Sequence, residues 1–195
     1  MKNFIPAFLL ILLVIGGCKK YQPAVQEQSV AHKKPSSSGI ANPDKPKPTA
    51  HKPKPVAPYV KGENYFSLAR YGGGRVNLEN YAGKPVLIVF FADYCPYCRK
   101  AAPFMEKTFR DYNLKGLQVL GISVDETTEQ AGHFVKELGL TFPVGINGRE
   151  AARKYRTQGI PYIFLLDKNH SISNFWAGYD PFLDNEILKS VQSVL

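Results

Sequence analysis

Cysteine is scarce in this chain: three residues among 195, at positions 18, 95 and 98. A structural zinc site normally takes four ligands, and no second C-x-x-C pair exists to supply them. The four histidines (His32, His51, His133 and His170) stand singly, with no partner at ligand spacing. No metal site and no cofactor are therefore expected, and His133 and His170 read as surface residues. Long apolar runs are missing too. The one candidate, Phe4 to Ile15, is interrupted by Pro6 and is too short to span a bilayer comfortably. Residues 59–195 contain no internal repeat. Acid is nearly absent between residues 19 and 58, where eight lysines face only Glu27 and Asp44. That stretch carries +6 of the net charge of +9, so the basicity is mostly local and no nucleic-acid partner is expected.

By composition the chain divides into three parts. Residues 1–17 read as a targeting segment, with Lys2 ahead of the apolar stretch. It ends in Ile15-Gly16-Gly17-Cys18, which resembles a bacterial lipoprotein signal. That resemblance implies cleavage before Cys18 and lipid on it, which would hold the chain to a membrane through its N-terminus. An ordinary secretory signal and an uncleaved anchor are the alternatives. Residues 18–58 then form a tether with eight of the 15 prolines and no aromatic except Tyr21. Runs such as Lys45-Pro46-Lys47-Pro48 stay extended, at about 3.1 Å per residue, so the tether would reach on the order of 100 Å. Two roles suit it: a solubilising spacer, or a strap along an anionic envelope surface. Residues 59–195 have 16 Lys+Arg against 14 Asp+Glu and suit one domain with a real core.

Chemistry concentrates at Cys95-Pro96-Tyr97-Cys98. The run Val86 to Ala92 reads as a buried strand. Pro96 suits the first position of a helix, where its missing N–H is not needed. The helix N-terminus carries partial positive charge and favours a thiolate at Cys95. Cys98 follows about one helical turn later, within reach of a mixed disulfide on Cys95. A strand, a short turn and C-x-x-C opening a helix make the setting of a thiol–disulfide redox pair. Two buried cysteines without chemistry would not need this spacing.

Elsewhere, Phe66-x-Leu68 and Val76-x-Leu78 around Gly72-Gly73-Gly74 predict a β-hairpin. Further strands are expected at 117–124, 142–146, 161–166 and 171–177. Helices are expected after the cysteines (with Pro103 kinking it), over 128–138 and 149–155, and from Phe182 to Val194. Strands alternating with helices, followed by a terminal hairpin and helix, indicate an α/β fold with a mixed central sheet flanked by helices.

From Phe66 to Leu195 the chain resembles the thioredoxin-fold TlpA/ResA-type thiol–disulfide oxidoreductases of the bacterial envelope. The resemblance rests on the N-terminal hairpin, on Phe90-Phe-Ala-Asp-Tyr-Cys95-Pro-Tyr-Cys98, and on Pro103 in the following helix. It also rests on Leu138-Gly-Leu140-Thr-Phe142-Pro143-Val144, after the central inserted α/β element, and on Gly159-Ile160-Pro161. It implies a redox disulfide between Cys95 as nucleophile and Cys98 as resolving thiol, surrounded by Tyr94, Pro96 and Tyr97. It implies a cis-proline at Pro161, with substrate docking at Ile160 and Pro161; taken alone, that proline could equally start an edge strand. The partners implied are envelope proteins with disulfides or thiols and a membrane electron donor or acceptor. The chain is expected to be a monomer on the extracytoplasmic side.

Three departures stand out. Tyr94 replaces the tryptophan common before the first cysteine. Val89 and Ala101 occupy positions where relatives place an acid, so no proton acceptor for Cys98 is evident. Arg99 and Lys100 are cations that would favour a thiolate at Cys95, or simply a solvated helix face. The implied reaction is thiol–disulfide exchange, as a reductase, with cytochrome c maturation as one setting, or as a disulfide donor on the same fold. The rivals are a copper-binding assembly factor using the cysteines and a histidine, and a peroxidase, whose hallmark Thr and Cys arrangement is absent.

Overall fold

The computed structural model describes residues 61–195. The expected targeting segment 1–17, Cys18 and the tether lie outside them. The chain runs through β1 (Ser67–Ala69), β2 (Arg75–Asn77), β3 (Val86–Phe91), α1 (Pro96–Tyr112), β4 (Gln118–Ser123), α2 (Thr128–Glu137) and β5 (Val144–Gly145). It continues through α3 (Arg149–Lys154), β6 (Tyr162–Leu166), β7 (Ile172–Ala177) and α4 (Asp184–Val194). β1 and β2 pair antiparallel as the expected hairpin. The other five strands form one mixed sheet in the order β5-β4-β3-β6-β7, parallel from β5 to β3 and antiparallel beyond.

β3 sits at the centre because it is apolar on both faces, as a strand covered from both sides must be. Leu87, Val89 and Phe91 pack into a core with α1, Phe134 of α2, and Ile187 and Val191 of α4. Val86, Ile88 and Phe90 pack into a second core with Phe66, Val76, Leu78 and the α3 residues Ala151 and Ala152. The alternation of side chains along one strand thus joins two layers.

Local signals fix the ends of the helices near the site. Thr127 and Gln130 form a capping box at the start of α2. Gly139 follows that helix at φ +62°, the left-handed conformation in which glycine ends helices. α1 continues through Pro103 to Tyr112, and there the missing N–H leaves the carbonyl of Arg99 without its helical donor. No helix among the described residues is long and apolar enough to cross a membrane.

Candidate active site

β3 ends at Phe91, and Ala92-Asp93-Tyr94 carries the chain to Cys95, the N-cap of α1. N-caps are usually Ser, Thr, Asp or Asn, whose oxygen accepts a first-turn amide. Here sulfur does so: the Cys98 N–H donates to Cys95 Sγ at 3.2 Å. The Cys95 thiol also lies 3.6 Å from the carbonyl oxygen of Ile160. The Ile160–Pro161 peptide bond is cis. Distant segments, separated by 65 residues, therefore meet at one sulfur.

The two thiols differ. Both are free and buried, Cys95 at 5% exposure and Cys98 at 1%. Burial pushes the Cys98 thiol well above its ordinary range. Its hydrogen bond with Cys95 and the charges of Cys95 and Asp125 push it further, against a backbone hydrogen bond with Ala92. Beside Cys98 lies a small apolar cavity of about 10 Å³, lined among others by Val89, Ala101, Met105 and Phe134. Val89 and Ala101 thus leave this side of Cys98 without a polar group. Tyr94 and Tyr97 flank the pair at 75% and 56% exposure, so the rim is aromatic and open.

The AhpC/TSA family model matches residues 62–175, more than half of the chain. The chain belongs to the AhpC/TSA family. Its fold is the thioredoxin-like one expected from sequence. Among curated relatives, thiol-disulfide oxidoreductase ResA of Bacillus thuringiensis subsp. konkukian is 33% identical over 108 residues, 55% of this chain and 62% of that protein. ResA of Geobacillus kaustophilus is 29% identical over 114 residues, 58% of this chain and 66% of that protein. The chain thus spans a little under two thirds of the curated relatives it matches. A protein assigned as thiol:disulfide interchange protein DsbE from Chlorobium tepidum has a similar structure, with TM-score 0.64 and 27% identity, covering 67% of this chain and 92% of that one. The thioredoxin domain of a thiol-disulfide oxidoreductase from Bacteroides vulgatus aligns with TM-score 0.59 and 26% identity, covering 65% and 93%.

Within this AhpC/TSA-family domain, three sequence expectations need correction. His170 is not a surface residue: it is 5% exposed, with Nε2 3.1 Å from the Tyr81 carbonyl. Contacts far along the chain, including its own carbonyl accepting from Asn64 Nδ2, draw this polar turn inward. His133 is exposed but not alone. Its Nδ1 lies 3.0 Å from the Asp93 carboxylate, and Glu137 follows one helical turn later. Asp93, His133 and Glu137 present ligand atoms within 4.8 Å of one another. Arg99 already occupies that cluster, at 2.5 Å from Asp93 and 2.6 Å from Glu137, so a guanidinium supplies the positive charge a metal would bring. Arg99 is therefore neither a cation aimed at Cys95 nor a merely solvated side chain. Lys100 lies over the Tyr97 ring at 5.2 Å.

Sequence reasoning missed Asp125. It is 4% exposed, and its carboxylate accepts from the Asp93 amide and from Ser123 Oγ at 2.8 Å. The available signal was its place just past the C-terminal end of a parallel strand, where α/β sheets gather their sites.

Proposed function

We propose that this chain is a membrane-tethered envelope thiol–disulfide oxidoreductase that reduces disulfides of other envelope proteins. The observation that carries the reading is Cys95 at the N-cap of α1, accepting the Cys98 amide, with the Ile160 carbonyl beside it. The Cys95 thiolate attacks one sulfur of a substrate disulfide. A mixed disulfide forms, and the other substrate sulfur leaves as a thiolate and takes up a proton. Cys98 then loses its proton and attacks Cys95 Sγ, releasing the second substrate thiol. Two electrons have moved to the substrate, and Cys95–Cys98 is a disulfide. A membrane dithiol donor must return two electrons for another turnover.

The ResA and DsbE names of similar proteins support this chemistry, and cytochrome c maturation is the substrate setting we favour. Tyr94, Pro96 and Tyr97 surround the pair, and Ile160 with Pro161 docks the substrate strand. In this reading residues 1–17 are removed, Cys18 carries lipid, and residues 19–58 hold a monomeric domain away from the membrane.

The test is a redox titration of the full chain in glutathione and dithiothreitol buffers, with thiol alkylation as readout. A reversible two-electron couple near about −270 mV supports the reductase. A value near about −120 mV makes the chain a disulfide donor instead. No reversible couple rejects the exchange reading.

A further inference from the structure

A second feature adjoins the cysteines and is not needed for exchange itself. A groove of about 300 Å³ opens beside Ile160, lined by Tyr94, Val124, Arg149, Arg153 and Thr157 among others. No Asp or Glu lines it. Its charged residues come from α3 and are both arginines. Arg149 is held in place, with Nε donating to the Val124 carbonyl at 3.0 Å and one terminal nitrogen 3.1 Å from Glu126. Arg153 is exposed, and its side chain has no hydrogen-bond or ion-pair partner among the described residues. Lys154 and Arg156 follow on the same segment, likewise without side-chain partners, against the single acid Glu150 of α3.

The floor of the groove suits an extended chain. Ile160 turns its carbonyl to Cys95 Sγ, while its amide N–H has no partner among the described residues. A substrate backbone lying along Ile160 would find that donor free, with a cysteine placed over Cys95. Tyr94 is 75% exposed and offers an apolar wall. The residues flanking the substrate cysteine would then run past Arg149 and Arg153. Glu126 offsets part of the charge of Arg149, but Arg153 has no acid partner among the described residues, so the groove favours negative charge and disfavours positive charge.

We propose that this groove selects protein segments in which the disulfide-bonded cysteine is flanked, within a few residues, by aspartate or glutamate. Arg153 is the adaptable recognition residue and Arg149 the fixed one. The inference rests on the exchange reading above and adds a substrate class to it.

Two disulfide-bearing peptides of the same sequence, differing only in Glu or Lys beside the cysteine, test it. Their kcat/KM values are measured with the reduced full chain, with neutral hydroxyethyl disulfide as reference. Exposed pairs are individually weak, so the expected preference for the acidic peptide is about fivefold at low ionic strength, shrinking as salt rises. In Arg153→Glu the same ratio should fall to about one or below; because it is taken within each protein, altered overall activity does not disturb it. Arg153→Gln, with thermal melting as a folding check, should give an intermediate ratio. Equal rates for both peptides, with hydroxyethyl disulfide consumed, overturn the groove while leaving exchange intact. No exchange with hydroxyethyl disulfide overturns the exchange reading, and the groove with it.

Discussion

Both carboxylate oxygens of Asp125 face the amide N–H of Asp93, at 3.0 and 3.2 Å, two residues before Cys95. One buried acid thereby anchors the turn that presents the cysteines. Its charge also opposes a thiolate at Cys98. Asp125→Asn removes the charge and keeps an acceptor for the Asp93 amide. The Cys98 thiol should then titrate at lower pH, and stability should fall by roughly 1 kcal/mol. Alkylation of Cys98 against pH in a Cys95→Ala background, with and without the substitution, reads the shift. An unmoved midpoint removes Asp125 from the causes.

Trapping separates the roles of the two thiols. Cys98→Ala should accumulate mixed disulfides on Cys95, visible as high-mass bands on a non-reducing gel and lost on reduction. Cys95→Ala should abolish exchange, since Cys98 is fully buried with a raised thiol pKa. Adducts through Cys98 in that variant would reverse the assignment.

Glu106 ties α1 to the segment before β5. Its carboxylate accepts the Thr141 amide at 2.8 Å, the Thr141 hydroxyl at 2.6 Å and Arg110 Nε at 2.7 Å. Burial opposes its ionisation, but the Thr141 and Arg110 hydrogen bonds outweigh that and hold the carboxyl below its ordinary range. A depressed folded value stabilises above the unfolded value of about 4.3, and the gain is lost as pH falls through the folded one. Glu106→Gln should cost about 2–3 kcal/mol at neutral pH and flatten the acid limb below about pH 4. Urea unfolding from pH 7 to 3 checks both.

His170 gives a second pH signature. Burial pushes its imidazole below the ordinary value, against backbone hydrogen bonds with Tyr81 and Lys84 and the charge of Asp167. Its contribution is complete above the unfolded value of about 6.5 and declines as pH falls through the folded value. The residue sits at φ +61°, which asparagine tolerates. His170→Asn should therefore fold, lose stability at pH 8 through lost packing, and show a shallower decline between about pH 6.5 and 5. An identical slope in both proteins rejects His170 as its source.

Much of the fold was legible because its signals are local. The apolar run of β3 and the Pro96 helix start each act within a few residues. The cysteine spacing and Gly159-Ile160-Pro161 were legible for the same reason. Asp125 and His170 were not. A lone acid after a strand becomes a buried anchor only because β4 pairs with β3 in a register that sets Ser123 beside Phe91. His170 reads as part of a polar turn, and the Tyr81 carbonyl that holds it lies 89 residues away. The Arg99 cluster needs α2 folded against α1, which spacing along either helix does not reveal.

In the proposed exchange, the N-cap of α1 also supplies the reacting atom, Cys95 Sγ. Once Cys95 Sγ is bonded to a substrate or to Cys98, it is a poorer acceptor for the Cys98 amide than a thiolate. In the substrate-linked form, where no Cys95–Cys98 bond ties the first turn of α1, that turn should therefore open more easily than in the reduced thiolate form. In the proposed exchange, the Cys98 amide would then report on the state of the Cys95 sulfur. Its hydrogen–deuterium exchange should be faster in a trapped Cys95 mixed disulfide than in the reduced protein.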